Sequence, residues 1–320
     1  MQCFSTGGWW PLAPYMRCLQ KRCCVRPFSG ICCWCGKGKY MPSMIDALIE
    51  PWRLEFMQRA LLATTLASIT AALVGCYVVL RGVAFLGDAL PHATFGGVAV
   101  AFLLGGNVYL GAAVAAVLSA LIMSLLSRRG LLKHDTAVGM VFIVAFALGM
   151  LLASLRPNYT YNLANFIFGS PLAVRWDDIW VMAGIGGALV ALLLLFWKEI
   201  LVTVYDPPMA TALGVPAAWV ELGLMVGVAL AAVVGLKAVG IVLVMALLVL
   251  PPATAQLVAP NLPVMMAMAV ALGALASVLG LYVAYYGDVS PSACIVLSAA
   301  GFFLLALVWR HLRGRRARSP

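Results

Sequence analysis

MQRALLATTLASITAALVGCYVVL, residues 57–80, carries one formal charge, Arg59, and is long enough to cross the hydrocarbon core of a bilayer as a single helix. In lipid such a stretch need satisfy only its own backbone polar groups, which a helix does internally. Runs of the same character follow almost without interruption: Ala89 to Leu104, Val108 to Ser127, Thr136 to Ser154, Ile179 to Trp197, Trp219 to Leu236, Ala238 to Val258, Leu262 to Tyr286 and Pro291 to Trp309. The second is the shortest, and it reads as a broken or re-entrant segment as readily as a full crossing. Of the 320 residues 64% are hydrophobic and only 10% charged, and the mean hydropathy is +1.03, which excludes a soluble globular domain. The fold class expected is all-α: a polytopic transmembrane helical bundle of eight to nine spans. Small residues, as in Gly184-Ile185-Gly186-Gly187-Ala188 and Gly273-Ala274-Leu275-Ala276, let such helices approach closely.

The formal net charge of +10 would suggest nucleic-acid binding in a soluble protein, but here the cations sit at the two ends of the chain. Arg17, Lys21, Arg22, Arg26, Lys37 and Lys39 precede the first run, and Arg310, Arg313, Arg315, Arg316 and Arg318 close the last. They read as lipid-surface and orientation signals, with no nucleic-acid partner. Residues 1–43 also hold Cys3, Cys18, Cys23, Cys24, Cys32, Cys33 and Cys35, in no zinc-ribbon spacing and with no His beside them. That segment is expected to be a disordered tail or a mis-called start, the true one being Met41 or Met44. The remainder divides into a transmembrane domain, 44–310, and a basic tail, 311–320.

Arg128, Arg129 and Lys133, between the third and fourth runs, and the terminal arginine cluster should both be cytoplasmic. Six crossings separate them, so the two assignments agree. Nine spans would leave the region before Met57 outside and eight would leave it inside. Two connections are long. Leu155 to Asp178, with Arg156-Pro157-Asn158-Tyr159-Thr160, lies outside on this topology; Lys198 to Ala218 lies inside. In the latter, Pro207 and Pro208 suit the start of a short helix, Gly214 its end, and Pro216 prevents continuation. Such a helix is either a stiff lever or an ordinary connecting turn.

Within an apolar stretch stands Gly87-Asp88-Ala89-Leu90-Pro91-His92-Ala93. If helical, a spacing of four puts Asp88 and His92 on one face. Ionisable groups at membrane depth are costly and usually functional, and a carboxylate with an imidazole suits a divalent metal ion. The alternatives are a pair buried where the helix enters water and a neutral His satisfying a backbone carbonyl.

Phe56-Met57-Gln58-Arg59-Ala60-Leu61, the stretch from Val79-Leu80-Arg81-Gly82 through Gly87-Asp88-Ala89-Leu90-Pro91-His92-Ala93, Ala212-Leu213-Gly214, the Val239 to Ala255 stretch and Asp288-Val289-Ser290-Pro291-Ser292-Ala293 occur in order. Together they resemble the permease subunit of the metal-ion ABC importers, which carry zinc, manganese or iron across the bacterial inner membrane, and the likeness runs from about Phe56 to Leu307. It implies a fold similar to the vitamin B12 and metal-chelate type permeases, and a membrane path formed by two permease copies. It also implies a cytoplasmic ATP-binding cassette ATPase dimer and a periplasmic or lipoprotein metal-binding protein. On this chain the family's metal pair falls on Asp88 and His92. Its ATPase-coupling helix falls on Asp206 to Val215, with Asp206, Pro207, Ala210, Leu213 and Gly214 in that loop. The chain departs from the family at Ala293, commonly Gly, which should stiffen the outer end of the last helix. It departs again at Pro91, Ser in many relatives, which should kink the helix between the two ligands.

The chain itself holds no Gly-x-x-x-x-Gly-Lys-Ser/Thr phosphate loop, so uphill transport requires a separate ATPase; it is a transport subunit and not an enzyme. The expected cargo is Zn or Mn in transit, with no permanently bound cofactor. Two protein ligands per copy, completed by water, release an ion more readily than a closed four-ligand cage. The rival reading is an ion-gradient-coupled secondary metal transporter, in which the same Asp and His relay protons. An intramembrane metalloenzyme is disfavoured: no His-Glu-x-x-His occurs, and His92, His134 and His311 are the only histidines. Thr64, Thr65, Ser68 and Thr70 on the first run either line the path or hydrogen-bond between helices.

Overall fold

The computed structural model describes residues 54–128, 134–154, 169, 171, 174–236 and 239–316, all within one compact unit, Met44–Pro320. The cysteine-rich segment 1–43, Arg129, Lys133, the Arg156 to Thr160 motif and the last four residues lie outside the described residues. Among the described residues every regular element is helical: α1 Glu55–Leu80, α2 Ala84–Leu103, α3 Val108–Arg128, α4 His134–Ser154, α5 Trp176–Leu195, α6 Trp197–Tyr205, α7 Pro207–Ala212, α8 Ala217–Leu236, α9 Ile241–Val258, α10 Leu262–Gly287 and α11 Pro291–Arg316. Nine of these, all but α6 and α7, are long and apolar enough to span a bilayer.

The largest departure from the sequence reading is α2, which opens at Ala84 and not at Ala89 and runs unbroken through Pro91. Scanning for uninterrupted apolarity stops at Asp88. Helix formation does not, because Gly82 at φ +69° turns the chain out of α1 and Val83 starts the next helix. Pro91 removes one N–H from the ladder, yet the helix continues around it.

α1 is the axis of the bundle. Within its most apolar stretch 67% is buried, against 17% for α4, the most open span. It packs on α9, α10, α8 and α5, while α2 packs mainly on α3 and α4, and α8 lies between the two groups. Glycine sets these distances. Pro251 and Pro252 inside α9 deprive the carbonyls of Leu247 and Leu248 of their helical donors. The freed Leu248 carbonyl meets the Cα of Gly75, where any side chain would collide with it. Gly97 of α2 and Gly111 of α3 approach backbone to backbone in the same way, as do Gly96 of α2 and Gly149 of α4. α2, α3 and α4 therefore form one closely packed group.

The hydroxyls of α1 do not bridge helices. Thr64 donates to the Ala60 carbonyl at 2.8 Å, Thr65 to Leu61 at 2.7 Å and Thr70 to Leu66 at 3.0 Å, all within their own helix. A threonine in a helix finds its i−4 carbonyl sooner than a neighbour's group. The termini sort into two ends. At one, Arg81 meets Glu221 and Ser127 meets His134; at the other, Tyr109 donates to Asp178 at 3.0 Å and Trp176 to Glu55 at 3.2 Å.

Candidate metal-transfer site

Asp88 and His92 lie one and two turns into α2, on one face, with His92 Nδ1 3.6 Å from Asp88 Oδ1. Nδ1 is closer still, at 3.0 Å, to the main-chain oxygen of Asp88. A carbonyl can only accept, so that bond requires a proton on Nδ1, and in the neutral ring the lone pair is then on Nε2. The histidine thus satisfies a backbone carbonyl with one nitrogen, the second of the sequence readings, and leaves the lone pair of the other outside that bond. Two aromatic rings of α4 fix its plane: Phe142 at 5.5 Å and Phe146 at 5.7 Å, both edge-on.

The pair is half open. The Asp88 side chain is 46% exposed and that of His92 21%. Among the described residues no three His, Cys, Asp or Glu side chains converge closely enough to hold a metal ion. One protomer therefore brings together, among the described residues, a carboxylate and an imidazole and no third such side chain, fewer groups than the four or more a divalent ion commonly takes.

The other predicted residues stand apart from this pair, at the end of the bundle where Arg81 meets Glu221. Pro207 and Pro208 occupy the first two helical positions of α7 and have no N–H to leave unpaired. The third N–H, of Met209, donates to Asp206 Oδ1 at 3.0 Å, and the fourth, of Ala210, donates to the Asp206 carbonyl at 3.0 Å. No donor is orphaned at that terminus. The other closes with Gly214 at φ +75°, its N–H on the Thr211 carbonyl at 3.1 Å and the Val215 N–H on the Ala210 carbonyl at 2.9 Å. Ala210 is fully buried, whereas Met209 and Leu213 are more than half exposed. A short, doubly capped helix is pinned by Ala210 and presents apolar side chains outward.

Two features escaped the sequence reading. Phe142 and Phe146 carried a signal, an aromatic pair four residues apart on the fourth run. Glu221 and its bond to Arg81 carried none, since the partners are far apart in the chain.

A model of the ABC 3 transport family matches residues 53–310. The manganese transport system membrane protein MntC of Halalkalibacterium halodurans is 37% identical over 272 residues, 82% of this chain and 93% of that protein. The manganese import system permease protein ScaB of Streptococcus parasanguinis is 37% identical over 82% of this chain and 92% of its own, and a probable iron transport system membrane protein of Haemophilus influenzae is 34% identical over 85% of this chain and 100% of its own. Among solved structures, PsaBC from Streptococcus pneumoniae in complex with Fab superposes with a TM-score of 0.75 at 37% identity, covering 82% of this chain and 95% of that one. An inward-facing metal-chelate type ABC transporter shares the fold, with a TM-score of 0.64 at 17% identity over 79% of this chain and 85% of that one.

Proposed function

Because this chain belongs to the ABC 3 transport family and is a multi-pass permease of metal-ion importers, we propose that Asp88 and His92 are its transit ligands. The cargo is a divalent transition metal ion, manganese first and zinc next. Relatives named for manganese support the order, and one oxygen with one nitrogen ligand fits both ions. The observation that carries the site is the Nδ1 bond to the Asp88 carbonyl, which leaves the Nε2 lone pair outside that bond on a ring whose Nδ1 lies 3.6 Å from the Asp88 carboxylate.

Two copies related by a two-fold axis would bring a second Asp and His to the ion, and the half-open face of the pair leaves room for them. The expected partners are a cytoplasmic ATP-binding cassette ATPase dimer and a periplasmic or lipoprotein metal-binding protein. The chain is expected in the bacterial inner membrane with its C-terminus in the cytoplasm, the orientation the arginines of α11 favour. The ATPase would dock on Asp206, Pro207, Ala210, Leu213 and Gly214, so that nucleotide-driven closure displaces α7 and changes which side of the membrane the site faces.

Uptake of radioactive manganese and zinc into cells lacking the chromosomal copy, with wild type, Asp88→Ala or His92→Ala supplied in trans, tests the assignment. Loss of uptake with unchanged protein in the membrane supports it; wild-type uptake in both variants overturns it. Vanadate, with the ion gradient intact, should stop uptake in the wild type.

A further inference from the structure

Arg81 ties three helices together. Its Nη1 lies 3.1 Å from Glu221 Oε1 and its Nη2 3.5 Å from the main-chain oxygen of Thr203. Thr203 belongs to α6, which leads into the α7 lever, and Glu221 to the second turn of α8, which leads out of it. Arg81 itself caps the C-terminus of α1. Only Gly82 and Val83 separate it from α2, and Asp88 follows one turn later. A single side chain, 18% exposed, thus joins both flanks of the lever to the joint from which the ligand-bearing helix starts.

The surroundings of that joint are open. Nothing lies within 4 Å of where a side chain on Gly82 would project, and its φ of +69° is accessible to glycine without strain. A cavity of about 430 Å³ opens beside it, lined by Arg81, Gly82, Val83, Ser127, His134, Asp135 and Glu221. Beyond the joint the packing is tight: Gly87 is pressed on Leu248 of α9, and glycine contacts bind α2 to α3 and α4. Packed helices shift between discrete arrangements and do not deform continuously. A pull on Arg81 therefore meets one compliant point, and past it a rigid group that carries Asp88 and His92.

We propose that Arg81 and Glu221 are positioning residues for transport, the link that transmits displacement of α7 to the metal ligands. The inference rests on the reading of α7 as the site of ATPase docking. The pair touches no ion; its role is to make ATP hydrolysis and the orientation of the site one event. A purely structural pair would hold helix ends together and leave coupling unchanged.

The test uses the full complex of permease, ATPase and metal-binding protein in proteoliposomes, with Mn²⁺ as the probe, and reads manganese taken up per ATP hydrolysed. Arg81→Glu and Glu221→Arg should each lower that ratio by about fivefold or more, the scale of ordinary coupling free energies. The double variant, which restores the pair with its charges exchanged, should recover most of it. Arg81→Gln, which removes the charge at nearly constant size, serves if either reversal fails to assemble, and it too should lower the ratio. A wild-type ratio in the single variants, or a swapped pair that assembles and stays as uncoupled as the singles, overturns the link. Gly214→Val in the same assay separates the two readings. If it lowers the ratio while the Arg81 and Glu221 variants do not, only the link fails; if it too leaves the ratio unchanged, the lever reading fails with it.

Discussion

His92 shows how a single side chain, here a proposed ligand, is fixed by its own helix and its neighbours. A free imidazole exchanges tautomers and turns about two bonds; this one donates from Nδ1 to its own helix and is wedged by Phe142 and Phe146. Fixing the ring in this way is what hydrogen-bonded outer partners do for metal ligands generally, and their loss typically costs about 10–100-fold in affinity or activity. The Phe142→Ala, Phe146→Ala double variant should therefore lower manganese uptake by about tenfold at limiting concentration while leaving Asp88 and His92 in place. Uptake measured against metal concentration checks this, and an unchanged curve would remove the aromatic pair from the account. The spacing of Asp88 and His92 was legible in the sequence because helical periodicity places i and i+4 together. The tautomer was not, since it depends on which acceptor the ring reaches.

Among the elements, α7 and α9 show opposite uses of paired prolines. In α7 they stand where no N–H is wanted, and the sequence reading placed the start of that helix at Pro207, as observed, and its end at Gly214, two residues past Ala212, because Pro, Asp and Gly act through local backbone rules. Removing the cap with Asp206→Ala should cost about 1 kcal/mol of local helix stability, seen as faster amide exchange at Met209. In α9 the prolines stand in the helix interior and free two carbonyls, one of which meets Gly75. Gly75→Ala should destabilise the protein by about 1–3 kcal/mol, the usual cost of overpacking, and lower its unfolding temperature in detergent. The spans were legible from hydropathy, yet the start of α2 was not. A charge inside a membrane helix ends an apolar run on paper without ending the helix, and here that charge is one of the proposed ligands.

For the whole molecule, the uneven burial of the spans says where more protein is needed. α1 is enclosed within one copy, whereas α4, which holds the His92 ring, is 17% buried over its apolar stretch. A protomer with its two proposed ligands on a half-open face should purify with its ATPase as a two-copy assembly, which light scattering in detergent measures. A single permease copy in an active complex would refute the shared site. Which face pairs with which could not be read from the chain, because lipid-facing and partner-facing surfaces are both apolar.

The consecutive prolines of α7 reach beyond the helix they start. Their ring-locked torsions and the Asp206 cap mean that this segment has surrendered its configurational freedom before anything touches it. A protein that meets it need not fold it. The encounter should carry a small heat-capacity change, set by the apolar tips of Met209 and Leu213, and lack the large entropic penalty of coupled folding.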